Sequence, residues 1–241
     1  MIVDSLKRGI TAGVVAGLAY GLFMALVGNP LVEHLEHLAH HDHGHGHDHA
    51  HAVSELTTAV VSVGSGVLWG ILLGAAFGTA YYLFEPSLPG VGSAKAYILS
   101  SVGFLTVSGV PWLALPPVAP GTEQALATDT RLLIYGGLMV LGALIAALSV
   151  AFYKRVREQH GPVPSVAAAV TPFALCAIPI LLVPTNTLAT PELAGAFVWL
   201  VVLSQVALWT IIASVYTTLD RRAERTAPSA SELDEDLTVG V

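Results

Sequence analysis

Residues 37–52 read HLAHHDHGHGHDHAHA and hold eight of the ten histidines in the chain. From His41 to His51 every second residue is histidine. Neutral imidazole suits zinc, copper, nickel and related cations, and Asp42 and Asp48 add hard oxygen donors. With a pKa near about 6.5 these side chains are mostly neutral, and so able to ligate, at neutral pH. In extended backbone alternate residues point the same way, which would make a ladder of His43, His45, His47 and His49. Gly44 and Gly46 leave the chain free to wrap an ion instead.

A second set of ligands lies just before this tract. Residues 29–41, NPLVEHLEHLAHH, predict a short amphipathic helix with Asn29 as N-cap and Pro30 at the first helical position. Along it Glu33, His37 and His41 follow at i, i+4 and i+8, Glu36 and His40 at i, i+4, with His34 beside them. Residues so spaced share a helix face, where imidazoles and a carboxylate can converge on one cation. Metal capture by Glu33, His34, Glu36, His37, His40, His41, Asp42, His43, His45, His47, Asp48, His49 and His51 is the chemistry these types suit. A solvated linker and a pH sensor are the other readings of the block. The pattern specifies a metal but not which one, because a flexible tract imposes no geometry.

What must position these residues is a set of membrane helices. The 241 residues are 54% hydrophobic and 11% charged, against about 25% charged in a soluble domain, and mean hydropathy is +0.70. Such a chain lacks the polar residues to coat a core in water, so the lipid bilayer is its expected surroundings. About 20 apolar residues cross the hydrocarbon, and six candidates meet that length: about 9–28, 57–84, 96–115, 132–153, 163–183 and 193–219. The fifth contains Pro172 and Pro179, which predict a kink. The first, though preceded by Lys7 and Arg8, is too long for a signal peptide and reads as a retained helix. The expected fold is all-α: a six-span membrane domain over residues 1–225 with a His-rich external loop at 29–56, then a disordered acidic tail at 226–241 that includes SELDEDL.

Lys and Arg set the orientation. With alternating spans one side holds Lys7, Arg8, Lys95, Lys154, Arg155, Arg157, Arg221, Arg222 and Arg225, and the other holds Arg131 alone. The positive-inside rule then predicts a multi-pass protein of the cell membrane with both termini cytoplasmic and the histidine block external. The first two spans carry a further pattern: Gly9, Gly13, Gly17 and Gly21, and Gly66, Gly70, Gly74 and Gly78, each recurring every four residues. Each set is a stripe on one helix face, predicting close packing of the two helices in lipid.

Several function classes are excluded or disfavoured. No phosphate-binding loop, no HExxH motif and no credible catalytic triad is present, so no enzyme activity and no ATP hydrolysis are expected. A net charge of −7 gives no expectation of a nucleic-acid partner. Cys176, the single cysteine, rules out an internal disulfide. Within the spans the polar groups are Ser62, Ser65, Ser100, Ser101, Thr106, Ser108, Thr171 and Gln205; most suit helix packing, and Gln205 is the best candidate for lining a path. No tightly bound cofactor is expected, the metal being ligand or substrate.

In order and spacing the chain resembles the CbtA family of cobalt transporter subunits. The resemblance rests on GNPLVEHLEH, VLWGILLGAAFG, FEPSLPG, PWLALPPVAPG, the arginine opening the fourth span, and PTNTLATPELAGAFVWLVVLSQVALW. It implies a polytopic subunit handling Co²⁺, with Ni²⁺ and Zn²⁺ as alternatives, and a small His-bearing membrane partner, CbtB. It also places the family's acidic segment at Glu33 and Glu36, where this chain adds histidines, and it leaves an oligomer open. Against a Co²⁺ uptake subunit stands a second expectation, a non-transporting metal sensor or metal-buffering scaffold for Ni²⁺ or Zn²⁺. The topology is open to direct test in a Cys176→Ser background. An impermeant thiol reagent should label Ala50→Cys in intact cells and reach Ser229→Cys only after permeabilisation; equal labelling of both would contradict the orientation.

Overall fold

The computed structural model describes residues 2–40, 55–117, 126–181 and 191–226, all helices, short connections and turns. The helices are α1 (Ile2–Phe23), α2 (Asn29–His40), α3 (Glu55–Phe84), α4 (Ser93–Phe104), α5 (Val110–Ala114), α6 (Thr128–His160), α7 (Pro162–Leu181) and α8 (Pro191–Thr226). Five helical stretches are long and apolar enough to cross a membrane, and α7 supplies the sixth apolar helix. At about 1.5 Å per residue the 20 residues of α7 also reach across the hydrocarbon. α7 runs helically through Pro172, whose side chain is buried.

The predicted stripes meet. A Cβ added at Gly9, Gly13 or Gly17 would come within 3.0 Å of the backbone of Gly74, Gly70 or Gly66 on α3, and additions from the α3 side meet α1 equally closely. The two antiparallel helices thus touch main chain to main chain. Each glycine costs about 1 kcal/mol of helix propensity relative to alanine. In lipid, where apolar burial gives no net drive, the close contact it permits offsets that cost. Serine ends each stripe. Ser5 donates to the Gly78 carbonyl at 2.8 Å and shares a 2.5 Å hydrogen bond with Tyr216 of α8, while Ser62 pairs with the Asn29 amide.

α1 uses a second face for α8. Ala12 and Ala16 are fully buried in a core that includes Leu208, Ile212, Ala213 and Tyr216. Its third face, with Val15, Leu18 and Leu22, is exposed. α4 joins α8 through Ser100, whose hydroxyl donates to the Trp209 carbonyl at 2.7 Å, and through Gly103, which leaves room for the Trp209 ring. α6 and α7 pack as a pair, and Gly142 of α6 lies against Thr106.

Two π-helical segments interrupt the spans, Met24–Gly28 between α1 and α2 and Leu105–Gly109 between α4 and α5. Each immediately precedes a proline by two residues. A proline ring clashes with the carbonyl four residues back and brings no N–H, and a wider turn relieves the clash. Accordingly the Asn29 N–H bonds the Met24 carbonyl and the Val110 N–H bonds that of Leu105, both five residues back. This corrects the expected N-cap: Asn29 is helical backbone, and α1 continues into α2 without a break. The amphipathic helix exists, but as an extension of the first span.

A control substitution must lie off the stripes and face outward. Ala16, though off the stripe, is buried, whereas Ala76 faces out. Gly17→Leu or Gly74→Leu should lower thermal stability in detergent by the equivalent of about 3 kcal/mol, and Ala76→Leu by under about 0.5 kcal/mol. Equal tolerance at all three positions would show that the stripes do not set the packing.

Candidate functional site

The histidine block joins the two helices that the glycines hold together. Of its residues, Glu33, His34, Glu36, His37 and His40 are on α2. The helical register puts Glu33 and His37, and likewise Glu36 and His40, one turn apart. Glu33 and His34 are exposed. His41, Asp42, His43, His45, His47, Asp48, His49 and His51 lie outside the described residues. Among the described residues no three His, Cys, Asp or Glu side chains come together as a metal site. The acidic tail beyond Thr226 is likewise outside the described residues.

Gln205, singled out from sequence, lines an open cleft of about 360 Å³ between the helices. Six helical segments contribute to it. α1 gives Tyr20, α3 gives Ser65 and Trp69, the π segment after α4 gives Val107 and Ser108, and α5, α6 and α8 give Trp112, Tyr135 and Gln205. Ser65 and Trp69 are exposed at its rim. It lies toward the end of the bundle that carries the histidine block: Tyr135 is about two turns into α6 and Gln205 about four turns into α8.

The wall of this cavity depends on the π segment. Pro111 offers no N–H to the Val107 carbonyl four residues before it. The Tyr135 hydroxyl instead donates to that carbonyl at 2.6 Å, tying α6 to the irregular turn. The adjacent Ser108 is buried, as is Gln205. Most other polar groups of the spans prove structural, as expected. Ser101 and Thr171 hydroxyls donate to carbonyls one turn back, and Ser100 and Ser62 bridge helices. Tyr20, Trp69, Trp112 and Tyr135 were not anticipated from sequence; the one available signal for them was Pro111 amid an apolar run, which foretells an irregular turn needing an outside donor.

Toward the opposite end the bundle is closed. Leu73, Phe77, Tyr81, Leu208, Trp209, Ile212 and Tyr216 form a buried core, in which the Tyr216 ring stands edge-on to Phe77 at 5.3 Å and tilts against Tyr81 at 4.8 Å. Beyond it Arg8 pairs with Asp220, Lys95 with Glu85 at 3.3 Å, and Arg221 donates to Ser93. A separate groove between α1 and α8, lined by residues such as Phe23, Trp199 and Leu203, is apolar and suits lipid chains.

Membrane-length apolar helices around a neutral polar cavity define a polytopic helical membrane protein. The family model described as "Probable cobalt transporter subunit (CbtA)" matches residues 3–220, and the chain belongs to that family. No curated protein and no solved structure matches it. The family is one of transporter subunits and not a class of enzyme, which makes cobalt the expected cargo and a further subunit the expected partner.

Proposed function

We propose that this chain is the membrane subunit of a Co²⁺ uptake system whose histidine block captures the ion on the external side and delivers it to the helix bundle. Membership of a cobalt transporter family supports the cargo. The observation that carries the capture step is the placing of eight histidines next to the glycine-locked pair α1 and α3. That pairing supports a block emerging at one end of the bundle, the end toward which the cleft lies. The Lys and Arg asymmetry makes that end external. A small His-bearing membrane protein, CbtB-like, is the proposed partner, and Ni²⁺ and Zn²⁺ are competing cargoes for ligands of this type.

Glu33 and His37, one turn apart on α2, form the proposed entrance site, with His34, Glu36 and His40 on the same helix. The tract from His41 to His51 raises the local concentration of the ion. The neutral interior favours a second reading, a metal-buffering scaffold, to the extent that an ion must shed its water to pass.

Replacing His43, His45, His47, His49 and His51 with Asn should abolish most divalent-metal binding by the purified protein. Binding by the unaltered protein should fall between about pH 7 and pH 5, because imidazole protonated below a pKa of about 6.5 cannot ligate. Cu²⁺ should displace Co²⁺. In cells, loss of the tract should reduce uptake mainly at limiting cobalt with the maximal rate preserved, whereas Glu33→Gln with His37→Asn should lower the maximal rate. Unchanged Co²⁺ binding and unchanged uptake at limiting cobalt in the tract variant would refute the capture step.

A further inference from the structure

Among the described residues two buried polar side-chain atoms have no hydrogen-bond partner, the Ser149 Oγ and the Trp209 Nε1. Trp209 is 5% exposed and sits in the core with Leu99, Leu208 and Ile212. An indole N–H enclosed in this way forfeits its hydrogen bond. Phenylalanine would fill much of the same space without that penalty. The benzene half of the ring occupies the gap that Gly103 leaves on α4, where an added Cβ would collide with Cζ3 and Cη2. The N–H is on the other side of the indole and so is turned away from Gly103.

The backbone here is pinned, because Ser100 donates to the Trp209 carbonyl at 2.7 Å. Free volume lies one turn away. Gln205 precedes Trp209 by four residues on α8, Val107 follows Gly103 by four into the π segment, and both line the open cleft. A helical side chain leans toward the N-terminus of its helix, which for Trp209 is the direction of Gln205.

We propose that Trp209 is a two-position plug. In this structure its ring seals the bundle against Gly103; in a second state it rotates about its side-chain torsions into the cleft. There the N–H meets acceptors, the Ser108 Oγ and the Gln205 Oε1, or water entering the open cleft. The vacated slot then extends the cleft along the contact of α4 with α8, toward Leu99 and Ile212. The closed state gains the packing of the ring and gives up one hydrogen bond, and the open state does the reverse. Opposed terms of this kind keep two arrangements close in free energy. Gly103 makes the closed position available, although glycine within a helix is otherwise unfavourable. The plug is a property of the bundle and requires no bound metal, so it stands or falls apart from the capture step.

Hydrogen exchange tests this in the full chain, labelled with nitrogen-15 and held in nanodiscs. Of the four tryptophan indole signals, that of Trp209 is the one removed by Trp209→Phe. Its protection factor should be at least about tenfold below that of the Ile212 backbone amide, because rotation exposes the ring without unwinding α8. Gly103→Ala puts a methyl group in the slot and should lower that protection at least about fivefold further. Leu203→Ala, at 63% exposure, should leave it unchanged. Should Gly103→Ala fail to fold, thermal melting of Trp209→Phe decides. Its midpoint should lie no more than about 3 °C below that of the unaltered chain, since the variant keeps a ring and buries no donor. Protection of the indole N–H less than about tenfold below that of the Ile212 amide would overturn the proposal. So would a folded Gly103→Ala chain with unchanged exchange, or a larger fall in the Trp209→Phe midpoint.

Discussion

The contact of α1 and α3, backbone on backbone along eight glycines, is the constraint from which the remaining arrangement follows. A side chain at any of the central positions would force the helices apart. Held at this distance, α1 turns its Ala12 and Ala16 face to α8, and α8 in turn carries Tyr216 to Ser5 and Trp209 to Gly103. The serines ending the stripes, Ser5 and Ser62, are hydrogen-bonded at opposite ends and so resist sliding of one helix along the other. The link between α2 and α3 thereby starts from a fixed base.

Irregularity enters this rigid frame at two prolines. Pro30 and Pro111 each follow a π turn, and the two turns have different uses. The one before Pro30 lets the first span continue as α2, on which Glu33 and His34 are exposed. The one before Pro111 frees the Val107 carbonyl for Tyr135 and leaves Ser108 facing space instead of a neighbouring turn. A cavity among close-packed helices needs such a defect, because regular apolar helices would close on one another. The histidine block and the cavity are thus complementary. One is rich in imidazole and carboxylate, the other is lined by neutral groups alone.

Much of this was legible in the sequence. Glycine every four residues maps directly onto one helix face, so the pairing of α1 with α3 could be read without coordinates. The apolar runs gave the helices, although α6 and α8 extend well past the predicted ends because helix does not stop where the lipid does. Asn29-Pro30 misled for a definite reason. The pair is a good helix start in isolation, but a π turn upstream and Ser62 across the interface make it mid-helix. Gln205 was found because an amide in an apolar run is conspicuous. Trp69, Trp112 and Tyr135 were not, since aromatic residues in such helices ordinarily face lipid or its interface, and only the docking of α6 on the π segment brings these together.

Cobalt accumulation measured in cells bearing this chain together with a small His-bearing membrane partner tests the central claim most directly. The account predicts saturable Co²⁺ uptake above that of cells lacking both proteins, and loss of that excess when this chain is omitted. Accumulation that does not change when the chain is added, at any external cobalt concentration, would contradict it.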